Sequence, residues 1–466
     1  MSAKSNATLL PLLSLLLLLL LFLALTGCSN TVNQPATSPA NIRPAAAVDR
    51  SGTPTEGWCK QLPKVSVRWH RDDIHCIGLI DKQLGFPRGV VAWDTDIIVV
   101  DKGTHLHQQL AGENAGQILR YTPTPLGFKR SVVLQGLNNP SSLSRGQHPA
   151  DKHLLYVSTT DAILRFAPDA PEIKLEQVVE DLPLTGWHYL SAAYATADYL
   201  FVTVPSASDH CEANTQPRSG NLDVLYPCPE VHPSTTATNT TATIRRYTIN
   251  NNGSIAKSFQ LVARGLRDAL AMTTTFDGTH LLVADNGWDN IPDTLLANGL
   301  GIDTHSLPLD ELNLVPIRAN QIPHFGWPYC YQQSSAAQAI TPGYETRVTN
   351  CASYKGVLQA LAPHSAPLAL LHANQQLLAN LHGFAKGARK TLSWPVDENG
   401  APTGTPDILI DWSYRHKRRY QGGRPFGLAT YGANALLVTD DWNRALMIVY
   451  LSTPESAAQV SGDNKK

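Results

Sequence analysis

The most legible chemistry in this 466-residue chain belongs to its seven cysteines. Six of them fall into three near neighbours in sequence: Cys59 with Cys76, Cys211 with Cys228, and Cys330 with Cys351. An even set in an exported chain reads as disulfides, and loops of this size need little backbone travel to close. Six cysteines can pair in many ways, so local pairing is one choice among several. No CxxC occurs, which argues against a thiolate zinc cage, and no CxxCH occurs, so no haem is attached. The seventh, Cys28, follows Leu25-Thr26-Gly27. Before it, residues 9–25 are almost continuously apolar, with Lys4 on the N-terminal side. This reads as the apolar region and processing site of a signal peptide. It looks like a bacterial lipobox, in which Cys28 becomes a lipidated N-terminus. An uncleaved anchor is the other reading, at the short limit for a spanning helix. Either places the body outside the cytoplasm and tied to a membrane. Ser29 resembles the sorting pattern of periplasm-facing lipoproteins sent to the outer membrane.

The rest of the chain must position whatever chemistry the body performs. Lys and Arg number 37 against 38 Asp and Glu, a net charge of −1, so no basic surface for nucleic acid is expected. Hydrophobic residues make up 43 %, which excludes a disordered chain. Residues 29–56 are Ser, Thr, Pro, Ala and Asn without apolar periodicity, a tether. The expected organisation is therefore a signal peptide over 1–27, lipidated Cys28 and tether over 28–56, a folded body over 57–452, and a disordered tail over 453–466.

Within the body a short apolar strand recurs: 97–100, 154–157, 200–204, 281–284, 377–381 and 436–439. Each precedes a second β-like run, at 118–121, 163–166, 244–247, 312–315, 391–394 and 447–450. Upstream of several pairs lies a Gly/Pro turn and another strand, at 86–92, 137–143, 266–272 and 424–429. Repeats of this kind, without long helical periodicity, predict an all-β six-bladed β-propeller of antiparallel four-stranded blades. A pair of β-sandwiches is the rival, but no linker interrupts 60–450. The insertions 205–242, 286–310 and 328–370 are candidate walls of a site.

Several blade turns carry motifs. They are Gly265-Leu266-Arg267-Asp268, the run 281–287, Asp310-Glu311-Leu312-Asn313, Phe325-Gly326-Trp327-Pro328-Tyr329-Cys330, the segment 362–368 around His364, and Gly423-Arg424-Pro425-Phe426-Gly427. In that order they resemble the quinoprotein glucose/sorbosone dehydrogenase family, across most of 84–450. The resemblance implies a propeller that holds pyrroloquinoline quinone (PQQ) with Ca2+ and oxidises aldoses or related sugars, passing electrons to an acceptor the sequence does not name. It implies that His188, in Gly186-Trp187-His188, is the general base; imidazole suits that task near neutral pH. A histidine capping a strand is the bland alternative. Arg267 matches the arginine beside the quinone, where a fixed cation stabilises arriving negative charge. Asp268 stands where the family usually has Asn. Lys386 lies where a lysine or polar pair meets the cofactor, and Arg424 matches a carboxylate clamp. The second arginine of that clamp is missing, since Gly422 occupies its place; Arg418 or Arg419 could substitute. Trp327 and Tyr329 are expected to pack the blade beside the site, with Trp327 in the cofactor set. Backbone carbonyls of Gly287 and Trp288 match the calcium ligands, while Asp285, Asp289 and Asp293 read equally as solvated loop acids.

Two other functions stay open. Asp268 and the missing arginine favour a non-catalytic propeller lipoprotein that binds a glycan or an envelope partner. A calcium-dependent lactonase would need carboxylates converging from several blades, and the blade turns do not supply them.

Overall fold

The second strand of every repeat is apolar at consecutive positions, so both of its faces need covering. Sheets stacked around a ring satisfy that demand for every copy. The computed structural model describes residues 61–65, 67–70, 74–103, 115–183, 186–212, 224–231, 238–289, 306–385, 387–413 and 422–451. Cys28, Cys59, Asp293, Lys386, Arg418 and Arg419, the N-terminal run, the tether and the tail lie outside them. Among the described residues there are strands and turns and no helix.

In chain order, β1 (Arg68–Trp69) and β2 (Ile74–Asp81) precede the first blade: β3 (Pro87–Trp93), β4 (Asp96–Asp101), β5 (Gly116–Thr124) and β6 (Gly127–Leu137). The second is β7 (Leu143–Arg145), β8 (Leu155–Ser158), β9 (Ile163–Phe166) and β10 (Glu176–Val179). The third is β11 (Ala193–Ala195), β12 (Tyr199–Val204), β13 (Thr243–Ile249) and β14 (Ile255–Arg264). In the fourth, β15 (Ala269–Thr274), β16 (His280–Asp285) and β17 (Leu309–Pro316) are separated from the outer strand β20 (Gln359–Pro363) by a hairpin, β18 (Cys330–Gln332) and β19 (Gln338–Ile340). The fifth is β21 (Pro367–Ala373), β22 (Gln376–Leu381), β23 (Lys390–Pro395) and β24 (Asp407–Asp411), with β1 added outside. The sixth is β25 (Pro425–Tyr431), β26 (Ala435–Asp440) and β27 (Ala445–Leu451), and β2 supplies its fourth strand. All pairings are antiparallel; Ile77 opposite Val449 joins the two ends of the described chain and closes the six-bladed β-propeller.

Side-chain alternation explains the core. Ile97 and Val99 pack toward the sixth blade with Leu437 and Ile448, whereas Ile98 and Val100 pack toward the second with Leu155 and Val157. Leu281 and Val283 meet Phe201 of the third blade, while Leu282 and Ala284 meet Leu377 and Trp394 of the fifth. The segment 137–143, expected to hold a turn leading into a strand, is mostly turn. Leu137 ends β6, Asn139 has φ 46°, Pro140 offers no N–H, and the inner strand β7 starts only at Leu143.

The innermost strands β3, β7, β11, β15, β21 and β25 line a central channel of about 630 Å³. Three blades pin the chain entering the inner strand with an aspartate at the end of the second. Asp101 accepts from the N–H groups of Gly85 (2.7 Å), Phe86 (2.6 Å) and Gly103 (3.1 Å). Asp285 accepts from Arg267 (2.9 Å) and Asp268 (2.8 Å), and Asp440 from Arg424 (3.1 Å). Disulfides Cys211–Cys228 and Cys330–Cys351 tie two of the insertions, each with Cα atoms 6.0 Å apart. Cys76 is disulfide-bonded as well.

Asp101 is buried, so Asp101→Ala orphans several backbone donors at once. The expected cost is about 3 kcal/mol, read as a lowered urea midpoint with an unchanged slope.

Candidate active site

Where the inner strands begin, the channel opens into a cavity of about 430 Å³. Leu270, Leu368 and Phe426 line both spaces. Its walls come from the entries to β3, β11, β15, β21 and β25 and the loops after β16 and β22. Strand-end aspartates hold three of these entries, those of β3, β15 and β25.

His188 lies on this wall. Its Nδ1 is 2.8 Å from the Ser206 carbonyl oxygen and 3.1 Å from Ser206 Oγ, which itself donates to the Ser208 carbonyl. A carbonyl only accepts, so Nδ1 carries the proton and Nε2 is left as a base. The segment is held by Trp187 N–H donating to Ala207 O at 2.9 Å. Gly186 makes this approach possible: φ is +79°, and a Cβ there would lie 2.0 Å from Ala207 O.

The wall beside the β15 entry is acidic. Asp268, Asp289 and Asp310 all line the cavity. Asp268 accepts from Asn286 Nδ2 at 2.9 Å, and Asp310 accepts from Gly287 N (2.8 Å), Ala366 N (2.7 Å) and Ser365 Oγ (2.9 Å). Burial pushes the Asp310 carboxyl up to about 6. Arg267 does not line the cavity. It is buried behind this wall, bonded through Nη2 to Asp209 and 3.3 Å from Asp289, while Nη1 donates to Gly287 O at 2.6 Å. Burial alone would lower this guanidinium, but Asp209, Asp289 and Asp268 raise it. Arg267 is thus a fixed cation whose charge is balanced by acids behind the wall and is not presented to the cavity.

The calcium expectation fares differently at its two positions. The Gly287 carbonyl already accepts from a guanidinium, so a divalent cation there would meet a like charge. Trp288 is buried against Tyr331 and His210. Among the described residues no group of three or more His, Cys, Asp or Glu side chains is arranged to hold a metal. Trp327 also differs from expectation. Its Nε1 donates to Asp209 O at 2.9 Å and its ring packs on the Cys211–Cys228 bridge, so it supports the partner of Arg267 and does not line the cavity.

The opposite wall is basic, and motif reading missed most of it. Arg88 lies between the rings of Phe86 (4.4 Å) and Phe426 (4.3 Å). Asp441, fully buried, lies 3.4 Å from Arg88, 3.2 Å from His382 and 3.8 Å from Arg424. Burial would raise this carboxyl; His382, Arg88 and Arg424 hold it below its ordinary value. Arg424, expected as a carboxylate clamp, does not line the cavity; it lies behind this wall and its Nε donates to His382 O at 3.2 Å. Burial brings it down to about 10 in spite of Asp441, with Arg88 and Arg389 adding to the fall. Behind them Lys102 Nζ donates to Tyr189 OH at 2.7 Å, and burial together with Arg88 pushes the amine down to about 7. Gly422 is buried with φ +59° and offers no second clamp. His364, given no role from sequence, faces the cavity with Nδ1 3.1 Å from Asp289, on a backbone with φ +53°. A signal for Arg88 existed: Phe86-Pro87-Arg88-Gly89 and Arg424-Pro425-Phe426-Gly427 open neighbouring inner strands with the same residue types.

No family model matches the chain, and no curated protein does. Among solved structures, a family AA12 carbohydrate-active enzyme of Trichoderma reesei, in its calcium structure, aligns with TM-score 0.63 and 17% identity over 84% of this chain and 99% of that one. The holo PQQ domain of a pyranose dehydrogenase from Coprinopsis cinerea aligns with TM-score 0.61 and 17% identity, covering 84% and 98%. A putative glucose dehydrogenase from Thermus thermophilus gives 0.51 and 12%, covering 80% and 99%. At these identities the likeness is one of fold, and it is the fold that the motif order implies.

The lowered Lys102 amine has a consequence for stability. Between about 7 and its ordinary value of 10.5, the unfolded chain binds a proton that the folded one does not, so stability rises with pH there. Denaturation of wild type and Lys102→Met should diverge in favour of wild type from pH 7 to 10. A constant difference would mean that the amine titrates normally.

Proposed function

We propose that this protein is a PQQ-dependent sugar dehydrogenase, exported and held by a lipid at Cys28, probing sugars on the periplasmic side of the outer membrane. The observation that carries the reading is the cavity itself, with an oriented imidazole base on one wall and buried Arg88 on another, backed by Arg424 and Lys102.

The residues fit PQQ, a planar anion with three carboxylates. Arg88, Arg424 and Lys102 stand against one fully buried counter-ion, Asp441. Arg88 Nε is buried without a hydrogen-bond partner among the described residues, and burial lowers the guanidinium. An anion would relieve that deficit. Arg88 and Arg424 would hold carboxylates, and Phe426 would cover a ring face and exclude water. PQQ, when bound, supplies the hydride acceptor. His188 supplies the base: Nε2 takes the proton from the sugar hydroxyl, and the Ser206 carbonyl stabilises the imidazolium through Nδ1–H. Calcium does not fit at the Gly287 carbonyl, and this reading gives it no step. A second reading, a glycan-binding propeller without catalysis, draws support from Asp268 on the wall and from the neutralised Arg267.

Two outcomes test the proposal. PQQ titrated calorimetrically onto the purified chain should saturate, with dye reduction over a panel of aldoses. His188→Ala should keep PQQ affinity within about threefold and lose about a hundredfold or more in turnover. Absence of PQQ binding to the folded chain sinks the dehydrogenase reading. For the anchor, Cys28→Ser should move the exported chain from the membrane to the soluble fraction, whereas an unchanged membrane fraction would indicate an uncleaved anchor.

A further inference from the structure

Phe384 and Trp442 stand out among the aromatic residues around the cavity. Phe384 is on the cavity wall yet 52% exposed, and Trp442 is 41% exposed, whereas Phe426 on the same wall is 5% exposed. The two rings meet edge to face, with centroids 5.5 Å apart and planes at 79°. Phe384 follows β22 in the fifth blade, and Trp442 sits in the turn between β26 and β27 of the sixth. They therefore extend the cavity wall outward by one ring across a blade boundary. Arg424 and Arg389 lie over Phe384 at 4.0 and 4.9 Å from its centroid and hold it in place.

Two large rings left in water cost free energy unless something covers them. The patch is far too small for a stable protein partner. Its chemistry matches a sugar ring, which presents C–H groups on its faces and hydroxyls around its rim. Trp442 offers the aromatic face, and the guanidinium donors of Arg424 and Arg389 lie over its neighbour Phe384. We propose that Trp442, steadied by Phe384, is an outer subsite that stacks the sugar next to the one in the cavity. The ligand class is then a disaccharide or longer glycan carrying the reacting residue at its end. The ring inside the cavity rests on the sugar-oxidising reading; the stacking on Trp442 does not.

The test measures binding before turnover. Cellobiose, maltose and glucose are titrated calorimetrically onto the full chain, as wild type, Trp442→Ala and Trp442→Phe. The disaccharide of the right linkage should bind wild type more tightly than glucose. Trp442→Ala should weaken that disaccharide roughly tenfold and leave glucose unchanged, while Trp442→Phe stays within about threefold. Disaccharides that bind wild type no better than glucose overturn the proposal, and so does an equal loss for all sugars in Trp442→Ala. If PQQ fails to bind but the selective loss remains, the dehydrogenase reading falls and the subsite stands.

Discussion

Burial of the second strand on both faces is the constraint on which everything else rests. No blade can satisfy it alone. Leu281 and Val283 need the third blade, while Leu282 and Ala284 need the fifth. The demand passes around the ring and ends only where β2, from one end of the described chain, pairs with β27 from the other. Closure then fixes where the inner strands start, because the aspartates at the ends of β4, β16 and β26 hold those starts by their N–H groups. The cavity is built from the same starts. Its geometry is therefore a property of the closed ring, and loosening one blade disturbs a wall supplied by another.

Charge is divided across this cavity in a way that local sequence does not reveal. One wall presents Asp268, Asp289 and Asp310; the other presents Arg88, with Asp441 and Arg424 behind it. In a low-dielectric mouth each wall is expensive without a counter-charge. The acidic wall has one from within, since Arg267 sits behind it. The basic wall has Asp441, with Asp440 near Arg424, and burial still loosens the protons of its cations. An anion drawn to the cavity is thus oriented before any specific contact, with its charge toward Arg88 and away from Asp268.

The legible parts of the structure are those that short stretches of sequence determine. All six strand pairs were readable because two-sided burial writes itself as consecutive apolar residues. Cys211–Cys228 and Cys330–Cys351 were readable because they close local loops. The strand β1 and the hairpin β18–β19 were not, being two and three residues long with no alternation to detect. His188 was legible only through motif order, since a lone histidine before a strand has many uses. Arg88 and Asp441 come from opposite ends of the chain and acquire meaning only when the first and sixth blades meet. Trp327 packs the blade beside the site, as its motif implies, but stands apart from the cofactor set because its indole N–H holds the Asp209 carbonyl.

The two departures from the family pattern, Asp268 and Gly422, gain a common explanation from this arrangement. Read singly, each subtracts from anion binding: one adds a carboxylate, the other removes a guanidinium. In three dimensions Arg267 points inward to Asp209 and the Gly287 carbonyl, so its charge is met behind the wall and not in the cavity. Arg88 supplies a cation from the neighbouring blade where the second arginine of the Arg424 turn is missing. It is gripped between Phe86 and Phe426 and tied to the same Asp441 that serves Arg424. Arg88 and Arg424 form an interblade pair of cations, one from the first blade and one from the entry to the sixth.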